Sequence, residues 1–355
     1  MKIKDIRVRQ ENLELTRPYT IAYKSVDKVR NAIVELETDT GLVGWGAANP
    51  SKAVVGVDVD DTLAALSEEN LDWLKGADIR HLHRLCAEVQ QRFAPQPGAA
   101  AALDMALYDL FAQWLEVPLV EYLGQHHTSL PTSITIGIKG VEETVAEGEE
   151  YVGRGFRYLK VKLGRSPEED RERLAKLREV LGQEVVIRVD ANQGYSFLQL
   201  EDFYYQTLNM NLELIEQPLA VALTEEYTKL PAEIKQSIAL DESLVSPTDA
   251  WRLASRPTAG GIFNIKLMKC GGLTPAREIA TVAKTAGIDL MWGCNDESII
   301  SIAAALHLAL ATPHTQYLDL DGSFDLARDV VSGGFLLQDG QLSVTDAPGL
   351  GVKRI

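Results

Sequence analysis

The chain has 355 residues, of which 46% are hydrophobic and 24% charged, a composition typical of a folded protein with a large core. Its 35 basic residues stand against 51 acidic ones, and the formal charge of −16 argues against nucleic acid and anionic membranes as partners. No apolar run approaches the roughly 18 residues that span a bilayer. Three widely separated cysteines indicate no disulfide framework, and we expect a cytoplasmic protein.

The first part of the chain predicts a small α+β unit. Residues 2–9 and 29–38 have the composition of strands, and Thr40-Gly41 begins a turn into a third strand over residues 42–46. Helical sequence follows, most clearly over residues 99–115. We therefore expect an α+β capping domain over about residues 1–125.

From about residue 130 onward, eight β-rich runs alternate with amphipathic helical sequence. Polar residues at the run ends recur at intervals of roughly 25 residues, about the length of a strand, a helix and two short loops. This repeat predicts a (β/α)₈ TIM-type barrel over residues 126–321. The runs cover residues 132–138, 158–163, 185–190, 212–216, 237–241, 262–267, 289–293 and 316–321.

The remaining residues, about 322–355, include a predicted hairpin. Residues 333–344 turn at Asp339-Gly340, a dipeptide typical of two-residue hairpin loops. We expect this C-terminal tail to complete the capping domain, which would then pack on the barrel without a flexible linker.

Three acidic residues end three consecutive predicted strands: Asp190, Glu216 and Asp241. Barrel enzymes carry their chemistry at these strand ends, so the three carboxylates should converge at one mouth. Each alone could cap a helix, but three in register would repel one another unless a cation sits among them. Oxygen ligands without histidine or cysteine favour Mg²⁺, with Mn²⁺ as a possible substitute.

Two lysines face this predicted metal site from opposite sides of the barrel. Lys162 ends the second strand and Lys266 the sixth, which lie across the mouth from each other. A partly desolvated lysine near other cations can act as a base, and its protonated partner as an acid. Such a pair could remove the α-proton of a metal-bound carboxylate on one face and return it on the other, through an enediolate. Lys269, beyond the strand end, is expected to face solvent or to pair with an acid.

Five motifs, in this order and spacing, resemble the muconate-lactonizing subgroup of the enolase superfamily: Leu-Lys-Val-Lys-Leu, Val-Asp-Ala-Asn-Gln-Gly, Ile-Glu-Gln-Pro, Asp-Glu-Ser and Asn-Ile-Lys-Leu-Met-Lys-Cys-Gly-Gly. The resemblance covers essentially the whole chain. It implies a modified barrel with an irregular eighth crossover and a capping domain built from both termini. It also implies Mg²⁺ on the three acids, Lys162 and Lys266 as opposed acid/base catalysts, and Lys160 beside the substrate carboxylate.

Two further acids on the predicted eighth strand, Asp319 and Asp321, indicate the substrate class. This Asp-x-Asp is similar to the motif by which dipeptide epimerases of the Ala-Glu type hold an N-terminal ammonium, which a carboxylate pair would attract. The resemblance therefore implies a dipeptide epimerase that inverts the C-terminal residue, in peptidoglycan turnover or peptide scavenging. The two acids could instead cap the last turn of the barrel.

The same resemblance places four more residues around the substrate: Thr135, Cys294, Asp296 and Lys24. Lys24 stands where Ala-Glu epimerases carry an arginine that meets the glutamate side chain, but lysine lacks the bidentate fork. Asp296 stands where they carry an apolar residue, so it could recruit a cationic or small polar side chain. Lys24 and Asp296 could also pair and leave an apolar pocket, and the preferred side chain stays open.

Other functions remain open from the sequence. The nearest are an N-acylamino acid racemase, an o-succinylbenzoate synthase or a cycloisomerase of the same subgroup. A more distant alternative is a non-catalytic barrel that binds a carboxylate ligand. Membership of this superfamily would also favour a homo-oligomer.

Overall fold

The computed structural model describes residues 1–21, 24–164 and 166–355, and it describes no side chains over residues 18–27. An N-terminal sheet and helices pack on a parallel barrel, and the C-terminal strands contact both. In the part of the chain that is described, no helix has the length and apolar character needed to cross a membrane.

The N-terminal sheet is antiparallel, with its strands in the order β1 (Ile3–Ile21), β2 (Lys24–Thr38) and β3 (Val43–Ala48). Its buried face packs on one long helix, because Gly44 and Gly46 of β3 have no side chain and let the helix backbone approach closely. The helices of this part are α1 (Lys52–Val55), α2 (Val59–Ala65), α3 (Glu68–Leu71), α4 (Leu82–Arg92), the long α5 (Pro97–Trp114) and α6 (Leu119–Leu123).

A parallel sheet of eight strands in chain order, β5 to β12, forms the centre of the described structure. A bridge between Thr132 and Leu318 brings its first and last strands together, which nearly closes the barrel. The predicted barrel is confirmed. Its strands follow a short β4 (Leu130–Pro131) and are β5 (Ile134–Ile136), β6 (Tyr158–Lys162), β7 (Val186–Asp190), β8 (Leu212–Glu216), β9 (Ile238–Leu240), β10 (Ile262–Ile265), β11 (Asp289–Gly293) and β12 (Thr315–Asp319).

Helices connect the barrel strands, except after β8, where a 3₁₀ helix over Val221–Lys229 precedes a short α-helix. The described residues form no helix between β12 and the next strand, so the helical sequence expected after the eighth run is not formed. This agrees with the irregular eighth crossover that the family resemblance implies. The helices are α7 (Val141–Gly153), α8 (Pro167–Leu181), α9 (Phe197–Gln206), α10 (Ala232–Ser237), α11 (Pro247–Ala254), α12 (Leu267–Cys270), α13 (Leu273–Ala286) and α14 (Ile299–Ala311).

The C-terminal strands are β13 (Val331–Gly333), β14 (Phe335–Gln338), β15 (Gln341–Val344) and β16 (Val352–Arg354). The predicted hairpin is confirmed: β14 and β15 pair across Asp339-Gly340, and both turn residues have positive φ. The Thr132 N–H donates to the Gly340 carbonyl, which holds the hairpin at the start of the barrel. At the other end of the tail, Arg354 forms an ion pair with Glu35 of β2.

Candidate active site

The register of three neighbouring strands places charged residues side by side, at the same level, at the carboxyl end of the barrel. Lys162 of β6 lies opposite Asp190 of β7, and Asp190 lies opposite Glu216 of β8. Asp241 follows β9 directly and Lys266 follows β10 directly. Four of these five side chains are buried, whereas the side chain of Lys162 is 28% exposed. The five predicted metal-ligating and catalytic residues therefore meet at one mouth.

Each predicted catalytic lysine is bonded to an acid on a neighbouring strand. Lys162 Nζ lies 2.6 Å from Asp190 Oδ2, and Lys266 Nζ lies 2.8 Å from Asp241 Oδ2. The strands that present the two lysines, β6 and β10, are four places apart in the eight-stranded order of the described barrel. The lysines consequently face each other across the mouth, with the acids between them.

Lys160 is buried and lies within a ring of three carboxylates. Its Nζ is 3.2 Å from Asp190 Oδ2, 2.7 Å from Glu216 Oε2 and 2.8 Å from Asp319 Oδ2. Burial alone would lower the pKa of Lys160, but the negative charges of Asp319, Glu216 and Asp190 outweigh it and raise that pKa well above its usual value. The proximity of Lys160 to Lys162 is thus compensated by carboxylates, and Lys160 stays charged.

The acids differ in how well the lysines compensate them. Burial opposes ionisation of Asp190, but Lys162 and Lys160 lower its pKa to about 2. Burial and then the charge of Asp190 raise the pKa of Glu216 to about 8. Burial would lower the pKa of Lys266, yet Asp241 and Glu216 outweigh it and the pKa is raised. Glu216 is therefore the acid of this cluster that gains most from further positive charge.

Lys269 is a site residue for which the sequence left two interpretations open, a solvent-facing lysine or a partner to an acid. It is buried, and its Nζ lies 2.5 Å from Asp241 Oδ1, 2.6 Å from the Asp241 carbonyl and 3.0 Å from the Asn264 carbonyl. The expectation of a solvent-facing lysine is wrong, and that of a partner to the acids is right. The short helix α12 begins after Lys266, so a residue three positions later returns to the same side.

Asn264 and Gly293 complete the surroundings of Lys266, and neither was among the residues predicted for the site. Asn264 Nδ2 donates to Glu216 Oε1 over 2.9 Å. A Cβ at Gly293 would lie 2.6 Å from Asn264 Oδ1 and 3.0 Å from Lys266 Cε, so a glycine is needed there. Asn264 precedes Lys266 by two residues, and the period of two along a strand could have identified it.

The two acids that were predicted to hold a substrate ammonium have different partners in the structure. Asp319 is buried and bonded through both oxygens, by Lys160 Nζ and, over 2.7 Å, by Ser133 Oγ. Asp321 accepts the Thr135 N–H over 2.7 Å, and its other oxygen lies 4.0 Å from Cys294 Sγ. Burial and then the charge of Asp319 raise the pKa of Asp321 to about 7. The structure thus brings Thr135, Cys294 and Asp321 together, whereas Asp319 is engaged with Lys160.

Asp296 lies in the loop between β11 and α14 and is partly exposed. The side-chain amide of Asn49, which follows β3, donates to the Asp296 carbonyl over 2.7 Å. Lys24 is the first residue of β2, but its side chain lies outside the described part of the structure. The predicted neighbourhood of Lys24 and Asp296 therefore stays a prediction.

The residues at the mouth fit a hard divalent cation by their chemistry. Asp190, Glu216 and Asp241 offer oxygen atoms only, as Mg²⁺ prefers. Glu216 Oε2 is buried and has no hydrogen bond, although Lys160 Nζ is close to it. Among the residues described, no three acidic, histidine or cysteine side chains are grouped as a metal site, because these carboxylates turn towards the lysines. Binding of a cation would require them to turn from lysine nitrogens to the ion.

Two known protein families match the chain, each over a different part. Residues 3–124 match the N-terminal domain of mandelate racemase and muconate lactonizing enzyme. Residues 143–354 match the enolase C-terminal domain-like family.

Individual relatives are similar over the whole length. The L-Lys-D/L-Arg epimerase of Methylococcus capsulatus is 58% identical over 355 residues, with 99% of both chains covered. The L-Ala-D/L-Glu epimerase of Clostridium acetobutylicum is 34% identical, with 100% of this chain and 99% of the relative covered. A crystal structure of a dipeptide epimerase from M. capsulatus, complexed with Mg and the dipeptide L-Arg-D-Lys, superposes with a TM-score of 0.97 at 58% identity and 99% coverage of both chains.

Proposed function

The chain belongs to the mandelate racemase and muconate lactonizing enzyme family of the enolase superfamily, and on this basis we propose that it is a Mg²⁺-dependent dipeptide epimerase. The relatives described above are epimerases, which confirms the predicted enzyme class, an isomerase. The observation that carries the proposal is the pair Lys162 and Lys266, on opposite sides of a mouth that also holds Asp190, Glu216 and Asp241.

The two lysines would act from opposite faces of the substrate α-carbon. Lys162 takes the α-proton of one stereoisomer, and Lys266 delivers a proton to the other face, so the configuration of the C-terminal residue is inverted. In the reverse direction the two residues exchange roles. Lys160, which stays charged beside Asp190 and Glu216, is placed to bind the substrate carboxylate.

Asp190, Glu216 and Asp241 would hold the metal ion. Mg²⁺, when bound, supplies positive charge that stabilises the enediolate formed when the α-proton leaves. Crystals of the M. capsulatus dipeptide epimerase contain Mg, which supports the same ion here. The carboxylates that now bond Lys162 and Lys266 would turn to the ion, and both side chains would then face the substrate, one as the neutral amine that accepts the α-proton and the other as the ammonium group that donates one.

We expect a preference for dipeptides with cationic side chains. Asp296 adds a carboxylate in the loop that follows β11, on the side of the barrel that holds the site, at a position where an Ala-Glu epimerase would carry an apolar residue. A negative charge there attracts arginine and lysine side chains and disfavours glutamate. The 58% identical relative is named for lysine and arginine, which supports this choice among the side-chain classes that the sequence left open.

Deuterium exchange tests the activity directly. Incubation with Mg²⁺ and a dipeptide library in D₂O should place deuterium at the α-position of the C-terminal residue, most rapidly in dipeptides of lysine and arginine. Asp296→Asn should lower kcat/KM for these dipeptides by about tenfold or more. A protein that binds dipeptides without any exchange would instead be a non-catalytic carboxylate-binding barrel.

The nearest rival, an N-acylamino acid racemase, predicts a different response at Asp321. Its substrates have no free α-ammonium, so they gain nothing from a carboxylate at this position. Asp321→Asn should therefore weaken turnover of dipeptides and leave N-succinylated amino acids unaffected. The dipeptide assignment would be wrong if the variant kept full activity on dipeptides and the protein also racemised N-succinyl substrates.

A further inference from the structure

The loop between β11 and α14 contains Asp296 and is hydrogen-bonded to the residue that follows β3 of the N-terminal sheet. Asn49 Nδ2 donates to the Asp296 carbonyl over 2.7 Å, and Asn295 Nδ2 donates back to the Asn49 carbonyl over 2.9 Å. These reciprocal bonds join positions almost 250 residues apart in the chain, one after β3 and the other after β11. Both amides use their donors on backbone oxygens, so the contact fixes the loop backbone.

A second asparagine holds the same loop two residues further on. Asn31 of β2 is buried, and its Oδ1 accepts the Ser298 N–H over 3.3 Å. Ala32 and Ala48 are paired in the antiparallel register of β2 and β3, so Asn31 of β2 lies opposite Asn49, the residue that follows β3. The sheet therefore bonds the loop on both sides of Glu297 and restricts it at two points.

The barrel side of the loop is equally restricted. Glu297 is buried, its Oε1 accepts the Asn295 N–H over 2.7 Å, and its own N–H donates to the Gly322 carbonyl. A Cβ at Gly322 would collide with the Asn295 carbonyl, so the segment after Asp321 packs directly on this loop. Asp296 thus lies in a segment whose neighbours on both sides are fixed.

We propose that Asn49 is a positioning residue that sets the place of the Asp296 carboxylate and thereby the preference for cationic dipeptides. This inference rests on the proposed function, in which Asp296 attracts an arginine or lysine side chain. Attraction between full charges falls with distance, so a loop that can move away from the mouth loses discrimination. Asn49 is neutral and its side chain donates to the Asp296 carbonyl, so we expect its effect on the substrate to pass through Asp296.

The test compares two substrates in one preparation. The ratio of kcat/KM for L-Arg-L-Lys to kcat/KM for L-Ala-L-Ala does not depend on how much of the protein is folded. Asn49→Ala should lower this ratio by about tenfold, chiefly through a higher KM for the cationic dipeptide, as expected for loss of one hydrogen bond. Asn295→Ala, which removes the return bond, should lower it in the same direction, and Asn49→Gln should restore part of it.

A matched control is available at another bond between the same two parts of the molecule. Gln90 Nε2 donates to the Gly271 carbonyl over 2.8 Å, at the end of α12 and outside the loop between β11 and α14. Gln90→Ala should leave the ratio as it is in the wild type. If Gln90→Ala and Asn49→Ala lowered the ratio equally, or if Asn49→Ala lowered both rates in proportion, the positioning role would be refuted.

The double variant separates this inference from the function on which it rests. If Asn49 acts through Asp296, Asn49→Ala should lower the ratio no further once Asp296→Asn is present. A lower ratio in Asp296→Asn but not in Asn49→Ala would overturn the positioning role and leave the cationic preference intact. An unchanged ratio in Asp296→Asn would overturn the cationic preference itself, and the role of Asn49 with it.

Discussion

The mouth of the barrel and the junction between barrel and capping segments use polar residues in opposite ways. At the mouth, buried lysines and carboxylates pair as full charges, as between Lys160 and three acids. At the junction, polar side chains mostly bond backbone groups of the other part, as Asn49 does with the Asp296 carbonyl and His307 with the Val120 N–H.

This difference indicates that the charged residues of the mouth carry out the chemistry, whereas the polar residues of the junction hold segments in place. Paired buried charges gain little stability over an apolar core, but they provide groups that can exchange protons and bind an ion. Bonds from a side chain to backbone fix the distance between two segments without adding charge near the substrate. Mutations at the mouth should therefore change reactivity and the balance of buried charge, and mutations at the junction should change geometry and stability.

The largest expected effect is at the two facing lysines. Lys162→Ala should abolish α-proton exchange from one stereoisomer of the dipeptide, and Lys266→Ala from the other, because each lysine faces one side of the α-carbon. Loss of a positioned general base lowers the affected rate by about 10²–10⁴-fold. NMR of each pure diastereomer in D₂O measures the two exchange rates separately.

Full epimerisation by both lysine variants would contradict this account. If one variant lost both exchange rates and the other lost neither, a single lysine would carry both proton transfers. Lys284→Ala is a suitable control, because this lysine is exposed on α13, away from the mouth.

The next largest effect is expected from Lys269, whose contribution is to charge balance. Lys269→Met removes the ammonium group from Asp241 Oδ1 and leaves that buried carboxylate less compensated. Breaking a buried ion pair on one side typically costs about 3–5 kcal/mol of unfolding free energy. The midpoint of urea denaturation should fall accordingly.

An exposed pair in the same molecule provides the comparison. Lys229 lies 2.7 Å from Glu226, but the side chains are 63% and 35% exposed. Lys229→Met should therefore change the unfolding free energy by about 0.5 kcal/mol or less. Similar losses in the two variants would show that burial does not distinguish the mouth from the surface.

The sequence predicted the mouth better than the junction, for a physical reason. Residues at the ends of parallel strands are brought together by a local repeat, so the period alone placed Lys162, Asp190 and Glu216 side by side. Contacts such as that between Asn49 and Asp296 join loops that are far apart in sequence and obey no period. Only the packed structure brings them together.

Within the mouth, the sequence did not predict which charges would pair. Asp319 was expected to hold a substrate ammonium, and the structure bonds it to Lys160 and Ser133. Side-chain pairing depends on lengths and rotamers inside the barrel, which strand spacing does not specify. The domain limits, the cytoplasmic location, a homo-oligomer and substitution by Mn²⁺ stay predictions.

The smallest effect is expected at the junction, in the pH dependence of stability. His307 of α14 is buried, and its Nδ1 accepts the Val120 N–H over 2.9 Å, a bond that requires an unprotonated ring nitrogen. Burial lowers the pKa of His307 to about 4. The unfolded chain, where a histidine titrates near 6.5, binds more protons between these values, so the stabilising contribution is lost as the pH falls from 6.5 through 4.

Two substitutions at this position distinguish protonation from packing. His307→Gln keeps an acceptor for the Val120 N–H but cannot gain a proton, so it should remove up to about 3 kcal/mol of acid sensitivity. His307→Phe removes the acceptor too and should lower stability at every pH, by about 1–3 kcal/mol for the unpaired N–H. Urea midpoints at pH 7.5, 6, 5 and 4 measure both changes. If the glutamine variant lost stability with falling pH as steeply as the wild type, protonation of His307 would not contribute, and the acid sensitivity would have to arise among the charges of the mouth.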